Sequence, residues 1–292
     1  MYLLVGNCPL LVCAPKEEGR TDLRGASSSG FPDKLVVETQ ALLMGPEQLR
    51  ANMGDLGPLP GIAGGEDAGS NACSSAELYD PSNGTFTATT GNMTVVRAGH
   101  TATLLGNGKV LITGGTSGGS SEAAVSSVEL YDPATDMFTA TVGGMTAAHV
   151  SHTATLLQNG KVLIAGGDVI FFNGIQNTGI MSLNTAETFD PSTGMFTKTT
   201  GNMTVPRESH TATLLNSGKV LLGRKRRRIG QFTAATSMMT AERDFLTANL
   251  LASGKVLLAG GVNTTTTLGT ADLFDPSSQS FTATGTLVTP RF

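Results

Sequence analysis

The sequence predicts an all-β fold built from about five copies of one four-stranded unit. The same segment, Thr-Ala-Thr-Leu-Leu, follows His100, His152 and His210, and a degraded copy spans Leu246–Leu251. The chain contains 37 glycines and its charged fraction is only 14%, a composition that suits an antiparallel protein with many tight turns. A helical period is not found in any copy, so we expect strands throughout the repeat.

Each unit contains four strand-like segments in a fixed order, which we name A to D. Strand A alternates Thr with small and apolar residues, a period of two that is typical of a half-buried strand. Strand B is Gly-Lys-Val-Leu, as at Gly108–Leu111, and a pair of glycines usually follows it. Strand C begins with an acidic residue and ends in Asp-Pro, as at Glu129–Pro133, and strand D carries Phe-Thr, as at Phe138. A Met-Thr segment, usually leading to an arginine, then connects to the next unit.

The residues between these segments predict antiparallel hairpins. Asn107-Gly108 separates strands A and B, and Asn-Gly favours a two-residue turn in which both residues have positive φ. Asp-Pro-x-x-Gly separates strands C and D, where proline presets φ and the Asp side chain can bond to the following backbone. One unit is therefore four antiparallel strands in about fifty residues.

Such a sheet cannot bury both of its faces alone, but tandem copies can pack face to face around an axis. This arrangement is a β-propeller; a β-solenoid is the competing repeat fold, although its coils are usually shorter and parallel. We assign residues 61–292 to the propeller, with copies near 61–97, 98–148, 149–207, 208–243 and 244–292. Residues 1–60 match no repeat and stay unassigned; disorder and an out-of-frame origin are the two interpretations.

The motif resembles the kelch repeat, over roughly residues 61–292. The resemblance rests on Gly-Lys-Val-Leu-Ile-x-Gly-Gly, then Glu-Leu-Tyr-Asp-Pro, an aromatic residue, and Met-x-x-x-Arg-x-x-His, in that order. It is similar to bacterial kelch proteins related to the propeller of galactose oxidase, and it implies four-stranded blades in a closed ring of six or seven. The usual Trp of strand D is Phe in every copy here.

Two of the five copies are incomplete. The first has no clear strand A, and the fourth runs from strand B directly into the basic segment Arg224–Arg228, without its second glycine or its strand C. Clustered cations can recruit nucleic acid, but a frameshift across glycine codons also produces an arginine run, and we favour the frameshift. Open blade edges would expose unpaired backbone and favour self-association.

The overall composition limits partners and compartment. The net charge of −4 gives no basic face, so we expect no nucleic-acid partner. No apolar run is long enough for a membrane helix, and Cys8, Cys13 and Cys73 fit neither a disulfide framework nor a metal site. The apolar stretch near the N-terminus lacks a preceding Lys or Arg and is no clear signal peptide. The composition weakly favours an extracellular or cell-envelope setting.

The B–C and D–A loops share one face of an antiparallel blade, and this loop face is the candidate binding surface. The longest B–C loop carries an unusually apolar segment with Phe171 and Phe172, which suggests a contact surface; an extra hairpin packed on its own blade is the alternative.

The D–A loops place four residues at one equivalent position: Arg97, His149, Arg207 and Arg243. They could ring the mouth of a central channel and attract an anion. The alternative, which we favour, is pairing with the acidic residues that open strand C, since a repeated charge pair more often serves the repeat than a ligand.

The strand-A histidines begin strands of different blades, so we expect no metal site, and no cofactor.

Three hypotheses for function follow. The leading one is a non-catalytic binding or scaffold module that recognises protein or glycan through the loop face. The second is an enzyme like galactose oxidase or a sugar-modifying enzyme; the copper chemistry of the former needs a Tyr–Cys crosslink and further Tyr and His ligands, and the sequence lacks this set. The third is a fragment or frameshifted product of a larger kelch protein. We expect no catalytic residues.

Overall fold

The computed structural model describes residues 3–4, 61–67, 71–80, 83–117, 123–172, 177–223, 237–263 and 265–292. Within these ranges the chain forms strands, turns and loops, and no helix. The all-β prediction is therefore confirmed. The basic segment Arg224–Arg228, and residues 1–60 apart from Leu3–Leu4, lie outside the described residues.

The described strands follow the order of the sequence motif, unit by unit. The first unit holds β1 (Leu3–Leu4), β2 (Gly61–Ala63), β3 (Ala76–Asp80) and β4 (Thr85–Ala88). The second holds β5 (Thr101–Leu104), β6 (Val110–Thr113), β7 (Val128–Asp132) and β8 (Met137–Ala140). The third holds β9 (Thr153–Leu156), β10 (Val162–Ala165), β11 (Asp168–Phe172), β12 (Asn177–Ser182), β13 (Ala186–Asp190) and β14 (Met195–Lys198). The fourth holds β15 (Thr211–Leu214) and β16 (Val220–Gly223), and the fifth holds β17 (Thr247–Leu250), β18 (Val256–Ala259), β19 (Thr270–Asp275) and β20 (Ser280–Thr286).

Four of the sheets have four strands, in the orders β1-β2-β3-β4, β5-β6-β7-β8, β9-β10-β13-β14 and β17-β18-β19-β20. Their neighbouring strands are antiparallel except for β1 and β2, which are parallel. The sequence offered no strand A for the first unit, and β1 lies beside β2 at the position that strand A takes in the other sheets. In the fourth unit the described residues form the pair β15-β16, and the segment in which the sequence lacks a strand-C motif lies outside the described residues.

The register between strands B and C is the same in all four of these sheets. Each time the acidic residue that opens strand C lies opposite an aliphatic residue of strand B, in the pairs Glu77↔Ile62, Glu129↔Ile112, Glu187↔Ile164 and Asp272↔Leu258. Because the side-chain period of a strand is two, a common register places the acid on the same face of every sheet. The repeated motif therefore specifies a repeated geometry.

The A–B turns differ from the sequence prediction in one detail. Gly108 has a φ of +82°, as predicted, but Asn107 keeps a negative φ. Gly108 N–H donates to the Leu105 carbonyl, and Leu105 N–H donates to the carbonyl of Lys109, so the turn is one residue longer than a two-residue loop. The prediction that both Asn and Gly need positive φ is wrong here, because the longer loop needs only one left-handed residue.

The C–D turns follow the prediction. In the second unit the Asp132 carboxylate accepts the backbone N–H of Ala134 at 2.9 Å, the bond expected of Asp-Pro turns. Asp136 takes the left-handed position with a φ of +57°, where the first and third units have glycine. Asp136 Oδ1 accepts the Tyr131 hydroxyl at 2.7 Å, so the tyrosine of this motif has a structural hydrogen bond.

The hydrophobic core lies between consecutive sheets. One cluster combines Ala63 and Met93 of the first unit with Ile112 and Tyr131 of the second. Further clusters join the second unit to the third, the third to the fourth and the fourth to the fifth. The sheets therefore pack face to face in chain order, and each buries apolar residues that it could not bury alone.

The first strands of the units are neighbours in space as well as in repeat order. Strand β1 contacts β5, β5 contacts β9, β9 contacts β15, and β15 contacts β17. Among the described strands no contact of comparable extent joins β17 back to β1.

Candidate functional site

The B–C and D–A loops meet at one end of each sheet, as the antiparallel order requires. A backbone bridge joins the two loops in three units, through the pairs Ala98↔Thr116, Val150↔Asp168 and Asp244↔Val262. These loops form the loop face on which the sequence places both candidate binding features.

Arg97 lies on the D–A loop between the first and second units, and its side chain is fully buried. Its guanidinium donates to Glu129 Oε1 from Nε at 3.2 Å and from Nη2 at 2.9 Å. It also donates to the carbonyls of Gly114 and Ser127 at 3.0 and 2.9 Å and to the Ser127 hydroxyl at 2.8 Å. Burial lowers the pKa of Arg97, and the hydrogen bond to Glu129 opposes this shift.

Glu129 receives the guanidinium together with two backbone N–H groups of the preceding unit. Thr94 N–H donates to Oε2 at 2.6 Å and Val95 N–H to Oε1 at 3.3 Å. The main chain of Arg97 binds in the other direction, since its carbonyl accepts Gly65 N–H at 2.7 Å. Arg97 therefore joins two units, through its carbonyl to the first and through its side chain to the second, and we call this arrangement the clamp.

The side-chain half of the clamp between the fourth and fifth units has the same geometry. Arg243 is fully buried and donates to Asp272 Oδ2 at 3.2 and 2.9 Å, to the Gly260 carbonyl at 2.9 Å and to the Thr270 carbonyl and hydroxyl. Thr240 N–H donates to the Asp272 carboxylate, as Thr94 does to Glu129. Every guanidinium N–H of Arg97 and of Arg243 therefore has an acceptor inside the fold.

His149 occupies the clamp position between the second and third units. Its Nδ1 lies 2.6 Å from the Gly166 carbonyl, and its Nε2 lies 3.5 Å from Glu187 Oε1. The imidazole is shorter than an arginine side chain, and a small cavity of about 50 Å³ remains, lined by His149, Glu187, Thr185 and Lys198 among others. Glu187 Oε1 is buried and has no hydrogen-bond partner among the described residues.

Arg207 occupies the equivalent position before the fourth unit and is half-buried. One of its Nη1 hydrogen bonds reaches the Leu222 carbonyl of β16 at 3.4 Å. Its main-chain carbonyl accepts Gly167 N–H at 2.6 Å, as the carbonyls of Arg97 and His149 accept Gly65 N–H and Gly115 N–H.

The geometry at Arg97, His149 and Arg243 matches the interpretation of these residues as partners of the acidic residue that opens strand C. The buried guanidinium groups have no N–H left for an added anion in this conformation, so anion binding by these positions stays a prediction that requires the clamps to open. The sequence did not indicate the carbonyl acceptors, since backbone groups leave no signature in a motif.

Two of the strand-A histidines bond between units. Nε2 of His152 lies 2.9 Å from the Thr101 hydroxyl and 3.0 Å from that of Thr113, and His210 Nε2 lies 3.0 Å from the Thr153 hydroxyl. Burial, with a contribution from the charge of Arg97, lowers the pKa of His100 to about 3. His152 and His210 thus bond across different junctions, and no group of three or more metal-ligating side chains occurs in the described ranges.

The apolar B–C loop of the third unit forms a hairpin of its own, β11-β12. Val169 pairs with Met181 and Ile170 pairs with Ile180, so neighbouring pairs point to opposite faces of the hairpin. Phe171, Ile180 and Met181 are 45%, 63% and 51% exposed. Phe172 ends β11, and its side chain is outside the described part. The extra hairpin exists, and it exposes apolar side chains on both of its faces.

A scan against models of protein families finds no match, and a search of curated protein sequences finds none. In the described ranges no helix has the length and apolar character needed to cross a membrane.

Proposed function

We propose that this protein is a β-propeller of the kelch type and acts as a non-catalytic binding or scaffold module. It recognises a protein or a glycan through the loop face formed by the B–C and D–A loops. The β11-β12 hairpin is the main contact element on that face.

The propeller is supported by how the units meet. Consecutive sheets share a hydrophobic core, their first strands are neighbours in chain order, and a clamp joins each unit to the next at the same position. A repeated junction of this kind relates every sheet to its neighbour by the same operation, as blades around a common axis require.

The exposed hairpin is the observation that carries the binding proposal. An isolated two-stranded hairpin is marginally stable in water, and here it is tied to the D–A loop by the reciprocal backbone bonds of Val150 and Asp168. Exposed apolar side chains on a projecting loop are costly to keep in water and are typical of contact surfaces. The other described B–C loops are shorter and carry no such cluster.

The test is a binding screen of the full chain against a glycan array and an array of purified proteins. The Ile180→Ser/Met181→Ser variant removes two exposed apolar groups from the hairpin, and Met195→Ser is its matched control. Met195 is 53% exposed on β14, away from the hairpin. We expect the wild type and the control to bind the same ligand, and the hairpin variant to bind it about tenfold more weakly or less.

Two results would overturn the proposal. One is a folded wild-type protein that binds nothing on either array. The other is a ligand whose binding is unchanged in the hairpin variant, which would move the site away from the hairpin.

A further inference from the structure

The two ends of the array carry complementary halves of a clamp. Among the acidic residues that open strand C, Glu129, Glu187 and Asp272 are buried, whereas Glu77 is partly exposed. Within the described residues no cation contacts Glu77. Arg291, four residues after Leu287, has the spacing that separates Arg97 from Met93, and it is exposed.

The main chain around Arg291 already has the conformation of a clamp. The Arg291 carbonyl accepts Gly261 N–H at 2.9 Å, as the Arg97 carbonyl accepts Gly65 N–H. Leu287 N–H donates to the Gly269 carbonyl at 2.7 Å, the bond that Met93 makes to Ser74 in the first unit. The fifth unit therefore holds its D–A segment in place before anything contacts it.

Unlike the guanidinium groups of Arg97 and Arg243, the side chain of Arg291 does not contact a carboxylate among the described residues. Its one side-chain hydrogen bond among the described residues is a long contact, 3.4 Å, from Nε to the carbonyl of Thr289. In the completed clamps the residue after Met93 or Met239 donates its N–H to the carboxylate of the following unit. The equivalent residue here is Val288, which is fully exposed. A carboxylate at the start of a strand C would satisfy both groups.

Glu77 has this carboxylate at the strand-C position that Glu129 has in the second unit. It lies opposite Ile62, just as Glu129 lies opposite Ile112. Gly64, the first glycine of the pair that follows strand B, has the same place in the first unit that Gly114 has in the second. The first unit therefore offers the acceptors that a clamp arginine uses, and the fifth unit offers the arginine.

We propose that the fifth unit of one chain docks onto the first unit of a second copy, with Arg291 bound to Glu77 of that copy. The second copy is favoured over closure within one chain because β17 and β1 make no contact comparable to those between the other first strands. The junction is head-to-tail, so its two surfaces differ and each copy can contribute both. The inference rests on the blade arrangement proposed above, but not on the ligand of the loop face.

Sedimentation equilibrium of the full chain, at low and high salt, tests the proposal with charge-reversed variants. We expect the wild type to self-associate and Arg291→Glu or Glu77→Arg alone to weaken association about tenfold or more, because like charges then meet. An equimolar mixture of the two single variants should recover the association of the wild type as alternating copies, since both junctions between the two different variants join opposite charges. The double variant should recover the association of the wild type.

Lys109→Glu is the matched control, because Lys109 is an exposed cation whose partner Asp132 is in its own unit. It should associate like the wild type. A wild type that stays monomeric, or single variants that associate normally while remaining folded by circular dichroism, would overturn the proposal. A monomer that Arg291→Glu destabilises and the double variant restores would assign the pair to closure within one chain and would also overturn it. None of these outcomes depends on the array screen, so the two proposals fail separately.

Discussion

Replacing Arg97 by Met removes the charge of one clamp and leaves an unbranched apolar side chain. Glu129 is then left buried without its cation, although Thr94 N–H and Val95 N–H still donate to it. The carbonyls of Gly114 and Ser127 also lose a donor. The variant therefore leaves one charge and several acceptors unsatisfied between two sheets.

Removing one partner of a buried ion pair costs about 3–5 kcal/mol of unfolding free energy. We expect about 3 kcal/mol for Arg97→Met, because the two remaining N–H donors partly stabilise the carboxylate. The control is Lys109→Met. The Lys109–Asp132 pair has the same N–O distance, 2.9 Å, but its side chains are 40% and 25% exposed, and such surface pairs contribute about 0–1 kcal/mol.

Urea unfolding followed by far-ultraviolet circular dichroism measures both variants, since the chain has no Trp to report by fluorescence. The double variant Arg97→Met/Glu129→Gln should recover about 1–2 kcal/mol, because the amide keeps an acceptor for Thr94 N–H but carries no charge. If Arg97→Met costs no more than Lys109→Met, the clamp does not hold the units together and the argument is refuted.

Three further predictions concern buried residues near the clamps. Because the folded pKa of His100 is about 3, the unfolded chain takes up a proton first as the pH falls. The free energy of unfolding therefore decreases from about pH 6.5 downward, and His100 accounts for about 2 kcal/mol of this loss at pH 5. The urea midpoints at pH 7.5 and pH 5 should differ less in His100→Gln than in the wild type. Gly114→Ala should lower the free energy of unfolding by at least about 2 kcal/mol more than Gly160→Ala does. Both glycines have a positive φ, but only at Gly114 would an added Cβ collide with a backbone atom, the carbonyl oxygen of His149. Equal losses in the two variants would contradict this reasoning. His149→Arg should raise the unfolding free energy by about 1 kcal/mol by giving Glu187 Oε1 a donor, and a lowered thermal midpoint would show that the cavity does not admit a guanidinium.

The repeat made most of the strands predictable. The Thr-Ala-Thr-Leu segment after His100 became β5, and Val110–Thr113 became β6, because alternation and turn residues act locally and need no knowledge of the rest of the chain. The charge pairs were predictable for the same reason: a cation and an acid that recur in step along the sequence recur in step in space.

The remaining features of the structure depend on backbone groups and distant contacts that leave no pattern in the repeated motif. The acceptors of Arg97 at Gly114 and Ser127 are backbone carbonyls, and the sequence carries no signal for them. Strand β1 has only two residues and pairs with β2 across a long stretch of chain, so no local pattern indicates it. The negative φ of Asn107 reflects a loop one residue longer than Asn-Gly alone specifies.

The central claim is that the units are arranged around one axis. Pulsed electron–electron double resonance tests it with spin labels on the exposed A–B turns, at Asn107 in the second unit, Asn159 in the third and Ser253 in the fifth, after replacing the native cysteines. Around an axis, the distance from the second unit to the fifth should be about twice that from the second to the third. A distance about three times as long would place the units along a line, as in a solenoid, and would contradict the propeller.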